Sequence, residues 1–149
     1  AYCVGNATAS KYEIFVANTD GSGSPTMAHE TFSSDRGAFD FDWSPDGSYL
    51  ALVADKDIDD VFELFLSAAS NLGTTTRISH PMSSPLNDLV NSFVWAPDSA
   101  SISYQAQQTS TKDLFETDLS TGGGTDISGL TSPGDIPTLN RYPTHAYSN

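Results

Sequence analysis

Residues 41–54 read FDWSPDGSYLALVA, and residues 93–106 read FVWAPDSASISYQA. Phe41/Phe93, Trp43/Trp95, Pro45/Pro97 and Asp46/Asp98 recur at an offset of 52. A second element recurs three times: YEIFVANTDGSG from Tyr12, FELFLSAASNLG from Phe62 and KDLFETDLSTGG from Lys112. Ile14, Leu64 and Leu114 correspond at successive offsets of 50, as do Phe15, Phe65 and Phe115. A third, weaker element follows each, as PTMAH, TRISH and TDISG, which sets His29 beside His80 as an equivalent position. Self-similarity at a fixed period of this size marks one supersecondary unit repeated in an array.

One unit reads as four short strands, a to d. Strand a, at 41–43, runs into a turn of Ser44, Pro45, Asp46 and Gly47. Proline fixes φ at the first corner, aspartate suits the second, and glycine takes the positive φ that leads back into a strand. The second copy keeps Pro97 and Asp98 but has Ala96 for the serine and Ser99 for the glycine, so a looser turn is expected there. Strands b, c and d fall at 49–53, 62–66 and 75–79. In strand c, Phe62, Leu64 and Leu66 face one way, Glu63 and Phe65 the other. Apolar residues on both faces indicate a sheet covered on both sides. A unit of about 50 residues with four antiparallel strands is the signature of a propeller blade. The fold class is therefore all-β: a β-propeller of four-stranded antiparallel blades, about three of them in this chain.

The turn WSPDG, the strand YLALVA and the aromatic strand FELFLS together resemble the TolB-like propeller repeat, a relative of the WD-type blade. The resemblance covers nearly the whole chain. It implies a periplasmic or envelope protein that docks other proteins on its propeller face. Such repeats also resemble the non-catalytic propellers that gate substrate in prolyl oligopeptidase-type hydrolases.

The chain reads as a partial propeller over 1–149: a blade remnant at 1–29, blades at 41–80 and 93–129, and a tail at 130–149 that is a candidate exchanged strand. AYCVGNATASKYEIF from Ala1 aligns with ALVADKDIDDVFELF from Ala51, so the chain opens inside a strand b. Three blades do not close a ring in the usual range of about 4–8. Two readings follow: the remaining blades come from another segment, or a second copy supplies them. In the second, Ala1, Tyr2 and Val4 receive a strand around Tyr142 and Thr144 from a neighbour, giving a closed homo-oligomer or an open filament.

Composition limits the partners. The chain has 149 residues, 6 Lys+Arg against 19 Asp+Glu and a formal net charge of −13. No basic stripe is available to release counterions from nucleic acid, and no polybasic segment to hold a membrane surface. No apolar run reaches the length of a membrane-spanning helix. With Cys3 the single cysteine, an intrachain disulfide, a zinc cluster and a CxxC pair are excluded. There is no G-x-S-x-G elbow, so no enzyme activity is expected. The acids are 15 Asp to 4 Glu, which suits turns rather than helices. High charge of one sign aids solubility and fits a periplasmic, extracellular or cell-surface setting.

A few residues invite a functional reading. Asp55, Asp57 and Asp59 alternate in the b–c loop and offer oxygens to Ca²⁺, although Asp60 stands where an EF-hand loop needs glycine. No other cofactor is indicated. Trp43 and Trp95, with Phe41 and Phe93, recur in phase and read as inter-blade packing; the competing reading is an aromatic platform for a ligand. Asn6 opens an N-x-T glycosylation sequon. Cys3 aligns with Val53 and reads as a small apolar residue of strand b. The a–b turns and b–c loops are expected at the end opposite the d–a connections, and there a protein-binding scaffold would display its contacts. The alternatives are an extracellular assembly subunit completed by strand exchange, and a gating propeller.

Overall fold

The computed structural model describes residues 1–6, 11–33, 35–82, 89–108, 111–121 and 125–126. They form three antiparallel sheets in which each strand pairs with its neighbour in sequence. The first sheet is β1 (Tyr2–Asn6), β2 (Lys11–Val16) and β3 (Thr26–Met27). The middle sheet is β4 (Ala38–Trp43), β5 (Tyr49–Ala54), β6 (Glu63–Ala68) and β7 (Asn71–Arg77). The third is β8 (Leu89–Trp95), β9 (Ser101–Gln108), β10 (Thr111–Asp118) and β11 (Thr125–Asp126). β4 and β8 begin ahead of 41 and 93, where the repeat becomes visible, and each opens with a register shift, at Ala38/Asp40 and at Val90/Ser92. No helix among the described residues is long and apolar enough to cross a membrane.

β5 explains why the sheets stack. Its run LALVA is apolar at every position and buried throughout. Successive side chains of a strand point to opposite faces, so a continuous apolar run must be covered on both. Leu50, Leu52 and Ala54 pack with Phe65 against Ile14, Ala28 and Phe32 of the first unit. Ala51, Val53 and Leu64 pack against Phe93, Trp95, Ile102, Tyr104 and Phe115 of the third. Leu52 stands opposite Phe41 on one side and Phe65 on the other, so one face gathers these three side chains. Each large apolar side chain removed from water contributes about 1.5–3 kcal/mol before the ordering entropy is counted.

The joints between sheets are also backbone contacts. Val90 N donates to Phe62 O at 2.7 Å, and Phe62 forms a parallel bridge with Leu89. At the joint between the first and middle sheets, Gly37 lies against Tyr12, where a Cβ would sit 2.8 Å from Tyr12 N and 3.1 Å from Tyr12 O. Glycine serves here through its missing side chain, since any other residue would push the two sheets apart.

The ends of each blade group differently from the sequence expectation. Ala69 N donates to Ser48 O and Leu119 N to Ala100 O, so each c–d turn sits beside its own a–b turn. The b–c loop lies at the other end with the d–a connection: Asp55 N donates to Gly37 O, and Arg36 Nη1 donates to the carbonyls of Lys56 and Asp57. An antiparallel meander reverses direction at every strand, which forces this alternation.

Gly37→Ala tests the close joint. It should destabilise the fold by about 1–3 kcal/mol, as overpacking against fixed backbone does, read as a lower urea midpoint. Gly47→Ala, which has open space around it and only a positive φ to strain, should cost about 1 kcal/mol.

Candidate functional site

The a–b turns hold the most regular chemistry. Gly47 N donates to Ser44 O at 2.9 Å, and Ser44 Oγ donates to Asp46 Oδ1 at 2.6 Å. Asp46 Oδ1 also accepts from Ser48 N at 3.0 Å. The Ser44 hydroxyl and then the Ser48 backbone hold the Asp46 carboxyl down from 3.8 to about 2. The second turn closes with the same backbone bond, without the two bonds that the Ser44 hydroxyl makes to Asp46 and Tyr49 in the first. Ser99 N donates to Ala96 O at 3.0 Å, and Ala100 N to Asp98 Oδ1 at 3.0 Å. Ser99 adopts φ 63 where Gly47 has φ 73. Its hydroxyl accepts from Asp46 N at 3.1 Å, so the serine that replaces glycine ties one turn to the next. Pro45 and Pro97 fill the first corner of each turn.

The repeated aromatics lie at the sheet joints. Trp95 is buried in the joint between the middle and third sheets, and its Nε1 donates to Asp42 O at 3.2 Å. Phe93 is fully buried in the same cluster, while Trp43 and Phe41 line the margin of the joint between the first and middle sheets. A buried indole needs such an acceptor. Two more bonds cross near Trp95: His80 N donates to the Tyr104 hydroxyl at 2.8 Å, and Thr117 Oγ1 to Ile78 O at 2.9 Å.

His29 and His80 are not equivalent. Ala28 N donates to Ile14 O as Ile78 N donates to Leu64 O, so the blades align at an offset of 50 and His29 corresponds to Ser79. Both do one job. Ile14 N donates to His29 Nε2 at 3.1 Å, and Leu64 N donates to Ser79 Oγ at 3.2 Å. A carbonyl only accepts, so His29 Nδ1 donates to Glu30 O at 2.7 Å and the unprotonated Nε2 accepts from Ile14 N. His29 stacks on Phe32 with ring centroids 4.2 Å apart and is buried.

The acidic b–c loop splits in two. Asp55 is buried: its Oδ1 accepts from Gly37 N at 2.7 Å and its Oδ2 from Asp60 N at 3.4 Å. One carboxylate oxygen from each of Asp55, Asp59 and Asp60 falls within 4.8 Å of the others. Asp57 is not in that group, because its Oδ2 lies 3.7 Å from Arg77 Nη1. The turn at Asp60, with φ 60, sets the exposed Asp60 carboxylate beside Asp55, which alternation along the sequence does not foresee. Burial pushes the Asp55 carboxyl up, against the hydrogen bond from Gly37.

Two ion pairs escape the sequence reading because their partners do not repeat. Lys56 pairs with Glu30, whose Oε2 accepts from Thr75 Oγ1 at 2.9 Å. Burial raises the Glu30 carboxyl, and the bonds from Lys56 and Thr75 outweigh it, leaving it below its ordinary value. Glu63 is buried; its Oε1 accepts from Arg77 Nη1 at 3.2 Å and Met82 N at 3.0 Å, and burial raises its carboxyl.

Ala1 and Tyr2 are exposed beside β1, in which Tyr2 lies opposite Phe15 and Val4 opposite Glu13. Among the described residues β1 pairs with β2 alone. Asn6 closes β1 opposite Lys11, and Cys3 lies opposite Ile14. Thr8, Tyr142 and Thr144 lie outside the described residues.

The crystal structure of TolB from Acinetobacter baumannii is similar to this chain, with a TM-score of 0.61 and 24% identity. The likeness covers 86% of this chain and 30% of that one. No family model matches the sequence, and no curated protein does. The likeness establishes the fold: about three blades of a TolB-like β-propeller.

Carboxyl titration by NMR should find Asp46 near 2 and both Asp55 and Glu63 above the ordinary range. The signs oppose. The stabilisation from Asp46 is complete above 3.8 and is lost as pH falls toward 2. For Asp55 and Glu63 the native state keeps the proton longer, so their contribution is greatest in acid and declines as pH rises through the native values. Asp55→Ala should cost about 1–3 kcal/mol by orphaning Gly37 N. Asp55→Asn keeps the acceptor and should cost less in the same urea titration.

Proposed function

We propose that this chain is part of a non-catalytic β-propeller scaffold that binds other proteins, in the periplasm or outside the cell. One observation carries the reading: β1 offers an edge with no partner among the described residues, while β5 and β9 at the same place in their sheets are paired on both sides. An open edge presents unpaired N–H and C=O groups that accept an added strand. Tyr2 and Phe15, stacked 6.0 Å apart, flank that edge with apolar surface for alternate side chains of a ligand strand. The buried roles of His29 and Asp55, which hold backbone N–H groups, support a scaffold over an enzyme. The acidic balance supports an aqueous compartment and a partner other than nucleic acid.

A second reading rests on the same edge: a strand from another copy of the chain fills it, completing the first blade across an assembly. The middle sheet supplies the register. Phe41 stands opposite Leu52, and Leu52 aligns with Tyr2, so the incoming strand would set its aromatic residue opposite Tyr2.

Isotope-labelled protein titrated with a peptide of the β4 sequence AFDFDW should show amide shifts along Tyr2–Asn6 and few elsewhere. Saturable shifts confined to β1 support edge docking. Shifts absent at millimolar peptide, or spread over the turns at 44–47 and 96–99, overturn it.

A further inference from the structure

A cleft of about 290 Å³ opens at the rim of the joint between the middle and third sheets. Leu66, Ala68 and Ile78 line it from the middle sheet, and Leu119 lines it from the third. Strand pairing assembles the rest. Tyr49 lies opposite Ala68, and Ala68 opposite Asn71, in a row across β5, β6 and β7. Leu66 lies opposite Thr76 in the next row. Residues opposite one another or two apart share a face of a sheet, and this face carries Ala51, Val53 and Leu64 into the joint. A register shift separates the two rows, and Gly73, with φ 93, lies within it. The extra residues bring Thr74 back to Asn71, whose Nδ2 donates to Thr74 Oγ1 at 3.2 Å, so amide and hydroxyl are held as a pair. Leu119 is fixed in turn by its own N–H, which donates to Ala100 O at 3.0 Å.

Among the described residues the lining of this cleft is uncharged. That is particular to the middle unit. At the Tyr49, Leu66, Ala68 and Thr76 positions the third unit has Ser101, Glu116, Asp118 and Asp126. Tyr49 is 37% exposed, an aromatic side chain left partly in water beside apolar ones. Asn71, Thr74 and Thr76 are exposed as well, and an amide with two hydroxyls offers both donors and acceptors. Apolar and aromatic lining with a few convergent polar groups is the make-up of a small-molecule site, and sites of that kind start at about 300 Å³.

We propose that this cleft binds a neutral saccharide unit. Charge sets the class. A cation would meet no carboxylate in the lining, and an anion would approach against a net charge of −13. The ligand that uses an aromatic ring, an apolar floor and uncharged hydrogen-bonding groups together has C–H groups on one face and hydroxyls around its edge, which describes a sugar ring. Its C–H face packs on Tyr49, and its hydroxyls exchange hydrogen bonds with Asn71, Thr74 and Thr76. The Asn71–Thr74 pair is ordered before the ligand arrives, which lowers the entropy lost on binding. The site belongs to the middle and third sheets and stands apart from strand addition at the β1 edge.

NMR titration of the isotope-labelled full chain with maltotriose, cellotriose and chitotriose, each to millimolar concentration, tests it. At least one of them should give saturable amide shifts at Tyr49, Ala68, Asn71, Thr74 and Thr76. Tyr49→Ala should weaken that binding about tenfold, and Tyr49→Phe, which keeps the ring, should weaken it less. Thr76→Lys, at an exposed position on the edge strand β7, should abolish it by filling the cleft, and gives the same readout if Tyr49→Ala does not fold. Trigalacturonate, an anionic saccharide of the same length, should bind more weakly than the neutral ones. Three results overturn the proposal: no saturable shift with any neutral saccharide, shifts confined to residues outside the cleft, or binding that folded Tyr49→Ala and Thr76→Lys variants keep unchanged. Trigalacturonate binding as tightly as the neutral saccharides overturns the assignment of charge.

Discussion

The structure depends on covering both faces of β5. A strand reading LALVA has no side to offer to water, so the middle sheet is stable only between two others. Leu50 and Leu52 require the first sheet, Ala51 and Val53 the third, and Leu64 and Phe65 on β6 divide the same way. This demand turns a sequence repeat into a radial stack and sets the spacing that Gly37 accommodates at Tyr12.

The polar groups of the joints then fix how the blades sit. Trp95 Nε1 donating to Asp42 O, His80 N to the Tyr104 hydroxyl, Thr117 Oγ1 to Ile78 O and Asp46 N to Ser99 Oγ each join the middle and third units. In a low-dielectric joint an unpaired polar group is costly, so each bond penalises sliding one blade on another. The result is that the middle and third blades are held in one mutual placement, with their turns at one end and the b–c loop at the other. The acids follow the same logic: Asp46 is kept ionised by its turn, and Asp55 is spent on closing a loop.

Much of this was legible in the residues. Phase-locked Phe, Trp, Pro and Asp located the blades, and the two-sided pattern of 62–66 foretold a sheet packed on both faces. Other features were not. Pairing His29 with His80 followed residue identity, whereas the fold pairs His29 with Ser79, because the backbone needs an acceptor for one N–H and either an imidazole or a hydroxyl supplies it. The loop carboxylates are chosen by a turn at Asp60 and by Arg77, neither of which spacing reveals. The replacement of glycine by Ser99 looked like a loss until its hydroxyl met Asp46 on the next blade.

The sequence by itself determined the repeating unit, its strand order and the demand for burial on both faces, since these follow from local turn chemistry and a period of two. Only the tertiary structure decided which polar atoms answer each other across blades and which turns share an end. Those outcomes join residues up to 53 positions apart, and their energy exists only once the sheets are pressed together and water is gone from between them.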